Sequence, residues 1–297
     1  MCNKDVAMNN NVLLFGKNSN IGSAIAKYLL SEGLIVRSFD SKDCDFLDKD
    51  GSSDFFKGLP AGPCTIVFLS VISKWLRNDY VSFLENVAIV NNFIQAQTQV
   101  NVKSIIYFSS VDVYGVSPEL PVTEKTAIDP DTWFGLAKYC CEHEFKLSPL
   151  IKCPVTILRI PGVYGNPHND RSAISRLIND AVDKKEVTIF GSGKILRDYV
   201  HAQDISSIVK YFIQKPFSGV LNLVTGKSSS LLEIVELIRQ KVAGSFKIVH
   251  TAPDSGREFD LKFDNSKLMA LVPEFRFMNL DKGMQSYLLQ PAQKEKM

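Results

Sequence analysis

Through its first half the chain alternates short apolar, β-branched runs with stretches of helical period. Asn11–Phe15 is apolar at nearly every position, as expected of a strand buried on both faces. Residues 21–31 then place Ile21, Ile25, Tyr28 and Leu29 on one helical face. The pattern continues as strands over 34–39 and 65–69, a helix over 81–97, a strand over 103–109, a helix over 131–147 and a strand over 155–159. Near-continuous apolar strands separated by helices predict an α/β protein with a doubly wound parallel sheet covered on both faces.

After residue 160 the pattern changes. A helix is expected over 177–184, a strand over 187–190, a turn at 191–193, a helix over 204–214 and a strand over 220–224. An amphipathic helix over 230–242 follows, with Ser229 or Ser230 as its N-cap, and the polar tail beyond Gln290 is expected to fray. No Ser/Gly-rich linker divides the 297 residues, so a second domain is expected to pack onto the first.

Composition narrows the class. With 45% hydrophobic and 22% charged residues the chain can bury a sizeable core, and a formal net charge of +2 argues against a dedicated nucleic-acid binder. No apolar run is long enough to span a membrane, and the polar start holds no signal-peptide core, which points to the cytoplasm. The six cysteines have no metal-ligand spacing with one another or with histidine, so they are expected as reduced thiols without a metal.

Candidate chemistry begins where the first strand meets the first helix, at Gly16-Lys17-Asn18-Ser19-Asn20-Ile21-Gly22. Glycines here permit a tight turn, and the helix N-terminus favours a pyrophosphate. Ser19 stands where a three-glycine fingerprint has its middle glycine. Asp40, at the end of the second strand, is placed to accept bonds from an adenosine ribose and to repel a 2′-phosphate. Together these residues favour dinucleotide binding, with NAD preferred over NADP, although Lys42 lies nearby.

Further along come Tyr107-Phe108-Ser109-Ser110-Val111-Asp112-Val113-Tyr114-Gly115, Trp133-Phe134-Gly135-Leu136-Ala137-Lys138, Leu158-Arg159-Ile160-Pro161-Gly162-Val163-Tyr164-Gly165 and Arg197-Asp198-Tyr199-Val200-His201. In this order the chain resembles the extended short-chain dehydrogenase/reductase family, the NAD-dependent epimerases and dehydratases of nucleotide sugars, over about residues 11–270. Its opening strand and turn also resemble dTDP-4-dehydrorhamnose reductases, and the Arg-Asp-Tyr-Val-His segment resembles UDP-hexose epimerases.

The resemblance implies a Rossmann domain over residues 1–162, with a return segment near 197–224, and a smaller substrate-binding region mainly over 163–297. It implies cofactor contacts at Asp45 and Phe46 near the adenine, at Leu69, Ser70 and Val71 along the groove, and at Asn86 in the family's Asn-Val helix motif. Ser110 takes the place of the residue that bonds the reacting sugar oxygen, and Lys138 that of the lysine holding the nicotinamide ribose. Arg197 and Arg257 match positions that often bind the nucleotide diphosphate, as a bidentate guanidinium suits. The same resemblance implies a homodimer built on two helices from each subunit, 79–97 and 131–147.

One departure concerns the chemistry itself. The family has Tyr four residues before the lysine, where this chain has Phe134, which carries no titratable group. Tyr139 lies about 100° around the helix from Lys138 and cannot substitute. Three readings stay open: a replacement made to keep bound substrate intact, a natural binder without catalysis, or proton transfer by another group such as Asp112. The plain alternative for Asp112 is a turn or helix-cap residue. A second departure is Gly162, where many sugar-nucleotide enzymes have Asn.

Overall fold

The computed structural model describes residues 11–116, 118–166, 172–252 and 259–289. The chain divides into two compact units. One takes the described residues up to Gly115, then Ile128–Arg159 and Ser206–Leu221; the other takes Val116–Ala127, Ile160–Ile205 and the described residues from Asn222 onward. The division is thus interleaved, with residues 116–127 leaving the first unit before Ile128–Arg159 return to it.

The first unit alternates β1 (Asn11–Phe15), α1 (Asn20–Ser31), β2 (Ile35–Phe39), α2 (Lys49–Lys57), β3 (Pro63–Phe68), α3 (Tyr80–Ala96), β4 (Asn101–Ser110), α4 (Trp133–Leu147) and β5 (Val155–Ile160). After β6 (Gly162–Tyr164), α5 (Ala173–Asn179), β7 (Glu186–Phe190), β8 (Leu196–Arg197) and β9 (Tyr199–His201), the chain passes through α6 (Ala202–Gln214) into β10 (Gly219–Asn222). β10 completes a six-stranded sheet in the order β10-β5-β4-β3-β1-β2. β1 pairs in parallel with both β2 and β3, and β3 in parallel with β4. The strand order reverses at β1, between β2 and β3, and ligands of such sheets bind beyond the carboxyl ends of the strands at that point.

The apolar runs of β1, β3 and β4 are buried because helices cover them on both faces. One side is filled by an aromatic cluster: Phe15 stacks on Phe56 at 5.3 Å, and Phe68 stacks on Phe93 at 4.0 Å. Phe46 belongs to the same cluster, edge-on to Phe15 at 5.3 Å and to Phe68 at 5.2 Å.

α2 was not expected from the pattern. Its sequence is mostly polar and holds a glycine, yet Asp48 caps it by accepting the Gly51 N–H, and Phe56 anchors it in the core. Tertiary burial of two phenylalanines outweighs a weak local preference there.

In the second unit β6 pairs in parallel with β9, β7 in parallel with β12 (Lys247–Thr251), and β8 antiparallel with β11 (Ser229–Ser230). Its own core gathers Tyr164, Ile174, Leu177, Ile178, Val187, Ile234 and Met284. α7 (Leu231–Lys241) starts in a capping box in which Ser230 and Glu233 each accept the other's backbone N–H. Two short helices close the unit, α8 (Ser266–Leu271) and α9 (Leu280–Leu289). The helix expected over 177–184 instead begins at Ala173 and ends in a wide turn over Asp180–Lys184.

Candidate active site

The β1–α1 turn brings backbone close to backbone. Gly16 has φ +105°, a region that side-chain-bearing residues rarely adopt, and a Cβ there would meet Leu69 Cβ at 3.1 Å. A Cβ at Gly22 would run into the Gly16 carbonyl oxygen and lie 2.9 Å from Ser19 Oγ. Within this turn, both positions require glycine. Ser19 sits at φ −73°, so no glycine is needed, and its hydroxyl ties the turn. Ser19 Oγ accepts the Gly22 N–H at 2.9 Å and donates to the Gly16 carbonyl at 2.8 Å. The serine that breaks the glycine fingerprint is the N-cap of α1. Asn20 and Ile21 open the helix behind it.

Asp40 stands beyond the end of β2. Its carboxylate accepts the Asn18 amide at 2.5 Å and the Lys42 N–H at 2.8 Å, and the Lys17 ammonium lies 3.6 Å away. Burial pushes its carboxyl up, but the Lys42 and Asn18 bonds and Lys17 outweigh that and hold it below the usual range. Lys17, which also bonds Asp43 at 2.5 Å, is a cation at this edge that the sequence pattern did not bring out. The Gly16 cradle, the open N-terminus of α1 and an ionised Asp40 fit a dinucleotide.

The remaining groove residues sort differently from expectation. Leu69 is buried beside Gly16, and Ser70 and Val71 continue half-buried from it. Asp45 is exposed and accepts the Leu47 N–H. Phe46 is 3% exposed, and its ring lies in the aromatic core edge-on to Phe15. Asn86 is buried, accepting the Ile72 N–H at 2.8 Å and donating to the Ile72 carbonyl at 3.0 Å. These two bonds tie α3 to the loop after β3.

Four residues meet where β4 ends. Ser110 caps the 3₁₀ turn Val111–Tyr114 by accepting the Asp112 N–H at 3.1 Å, which leaves its own O–H free to donate. Lys138, on α4, is buried and donates to the Phe108 carbonyl at 2.7 Å. Its Nζ lies 4.9 Å from the Tyr107 ring and 5.7 Å from the Phe134 ring. Burial lowers its pKa to about 8, against a smaller opposing pull from Cys141 and Glu142. Phe134, half-buried, is one helical turn before Lys138 and carries no hydroxyl. Asp112 forms an ion pair with Lys74 at 2.5 Å, a partner that sequence reasoning missed because Lys74 lies in an irregular loop.

Beneath this cluster runs a buried polar network. Glu142 accepts Ser109 Oγ at 2.5 Å and two bonds from Arg159, at 2.9 and 2.6 Å, while Arg159 donates to Tyr114 Oη at 2.9 Å. The network joins β4, the 3₁₀ turn, α4 and β5.

In the second unit, Arg197 donates to the carbonyls of Leu196 and Phe259 and lies over the Phe259 ring. Arg257 and His168 lie outside the described residues. His201 is buried, which lowers its pKa to about 4, and its ring nitrogens face the Gln203 N–H and Ser286 Oγ. A side chain at Gly162 would press on the Tyr199 ring, with the Cβ 2.9 Å from Cδ1, so the Asn common there would require that ring to move. No metal-binding group of His, Cys, Asp or Glu occurs among the described residues, and the five described cysteines are free thiols.

The chain belongs to the NAD dependent epimerase/dehydratase family, whose model matches residues 12–224. The ADP-L-glycero-D-manno-heptose-6-epimerase of Brachyspira hyodysenteriae is 29% identical over 62% of this chain and 61% of its own length. A UDP-glucose 4-epimerase of Lactobacillus helveticus is 26% identical over 78% of this chain and 82% of its own length. The chain covers 57% to 61% of the length of three of its curated relatives. The structure of the UDP-glucose 4-epimerase of Thermotoga maritima with UDP-glucose superposes with a TM-score of 0.83 over 94% of this chain and 98% of that one, at 20% identity. That likeness establishes the shared fold.

Proposed function

We propose that this protein is an NAD-dependent enzyme of the nucleotide-sugar epimerase/dehydratase type, acting by hydride transfer at sugar C4. The observation that carries the reading is the buried Lys138, held on the Phe108 carbonyl beside Ser110 and Phe134 in the unit that bears the Gly16–Gly22 turn. Family membership and the names of the curated relatives support it. NAD, when bound, supplies the two-electron acceptor. Asp40 holds the adenosine ribose and repels a 2′-phosphate, so NAD is favoured over NADP, and Lys138 donates to the nicotinamide ribose. Ser110 donates its free O–H to the reacting sugar oxygen. Arg197 and Arg257 are the proposed holders of the nucleotide diphosphate.

A second reading, a catalytically silent binder of NAD or a sugar nucleotide, is favoured by Phe134 alone. Incubation of the purified protein and NAD with a panel of sugar nucleotides separates the two. Appearance of NADH or of product isomers is expected; NAD binding without any turnover would favour the binder.

The proposed assembly is a homodimer through α3 and α4. Tyr80, Val81 and Leu84 on α3 and Trp133 on α4 are exposed apolar positions on packed helices, which supports that interface. The proposed location is the cytoplasm; no helix among the described residues is long and apolar enough to cross a membrane.

A further inference from the structure

Lys74 is more constrained than a loop lysine ordinarily is. The segment that carries it is fastened at two points: Ile72 by both polar atoms of Asn86, and Asn78, whose Oδ1 accepts the Phe134 N–H at 3.0 Å. Between those points Lys74 reaches Asp112 Oδ2 at 2.5 Å, with side-chain exposures of 30% and 19%. Its Nζ also lies 5.5 Å from the Trp75 ring and 5.9 Å from the Phe134 ring. Two aromatic faces and one carboxylate therefore surround the ammonium.

Asp112 is held just as firmly. Ser110 Oγ accepts its N–H, and a Cβ on Gly135 would lie 2.6 Å from its carbonyl oxygen, so the 3₁₀ turn packs directly on the start of α4. The ion pair thus stands next to the residue in the tyrosine's place. The other charged group at the Phe134 ring is Lys138, with Nζ at 5.7 Å.

We propose that the Lys74–Asp112 pair performs the proton transfer for which Phe134 has no hydroxyl. Asp112 is the proton acceptor and Lys74 the residue that positions it; the proposal rests on the nucleotide-sugar reading of the site. When the sugar alcohol is oxidised, its O–H bond breaks and the proton passes to the free Asp112 oxygen. The O–H electron pair becomes the carbonyl π bond as the C–H pair departs to the two-electron acceptor named above. Return of that pair to the carbon is matched by return of the proton from Asp112, and Lys74 stays protonated throughout. Separation of the two roles follows from the pairing: the lysine fixes the carboxylate in place, and the carboxylate moves the proton.

The test combines Asp112→Asn, Lys74→Met, Lys74→Arg and Phe134→Tyr with three readouts: kcat, the KM for the sugar nucleotide, and NAD binding by calorimetry. Asp112→Asn is expected to lower turnover by about 10²- to 10⁴-fold while NAD still binds. Lys74→Met should lower kcat with little change in the KM for the sugar nucleotide, and Lys74→Arg should restore kcat. Lys74→Met and Asp112→Asn enzymes as active as the parent, or a Lys74→Met loss that Lys74→Arg does not rescue, would overturn the pair's role. A silent parent with an active Phe134→Tyr variant would overturn it too, while keeping the nucleotide-sugar reading. Silence of both on every sugar nucleotide would sink the reading of the site and this inference with it.

Discussion

Lys138 shows how one buried cation can be read in two directions. Its ammonium is satisfied by a carbonyl and two ring faces rather than by a carboxylate, and burial lowers its pKa to about 8 from the ordinary 10.5. Between those values the unfolded chain holds a proton that the folded chain lacks, so this group's contribution to stability rises with pH across that window. Cofactor binding runs the other way, because the ammonium is the proposed donor to the ribose hydroxyls. NAD affinity, measured by calorimetry from about pH 6.5 to 9.5, is expected to fall as pH passes about 8, and Lys138→Met should flatten the curve. Persistence of the step in Lys138→Met would assign it to another group.

At the scale of elements, the buried Glu142–Arg159 pair matters most. Both side chains are 5% exposed, and between them they join α4 to β5, with Ser109 on β4 and Tyr114 in the 3₁₀ turn as further partners. Burial alone would lower the Arg159 pKa, but the Glu142 carboxylate outweighs it and holds the guanidinium charged. Glu142→Ala leaves that charge buried and unpaired, which should cost ~3–5 kcal/mol in urea denaturation. The loss should also loosen the turn carrying Ser110 and Asp112, so turnover in the surviving folded protein should fall as well. A variant as stable as the parent would mean that water or another group replaces the carboxylate.

The whole molecule is two units with separate cores, an aromatic-rich one in the first and an aliphatic one in the second. The proposed homodimer belongs to this scale. Light scattering at micromolar concentration is expected to give twice the chain mass, and Leu84→Arg, a charge placed on an exposed apolar position of α3, should shift it to the monomer. A monomer mass for the parent would remove the assembly. The first unit was the more legible of the two, since strands buried on both faces are apolar at every position. The second unit was less so: β12 is mostly exposed or half-buried and broken by Lys247 and His250, so it has no continuous apolar run, and α8 is only six residues long.

By itself the sequence determined whatever depends on neighbours along the chain. The apolar runs placed the main strands of the sheet, the spacing of Phe134 and Lys138 put both on one face of α4, and Gly16 and Gly22 marked the turn that admits a dinucleotide. These features follow from backbone geometry, which acts over a few residues. Tertiary structure alone decided what distant residues do to one another. It sent the Phe46 ring into the core, committed Asn86 to the Ile72 backbone, and brought Lys74 to Asp112 across 38 positions. Burial and the choice of partner set the chemistry of a polar side chain, and neither has a period that can be read from the order of residues.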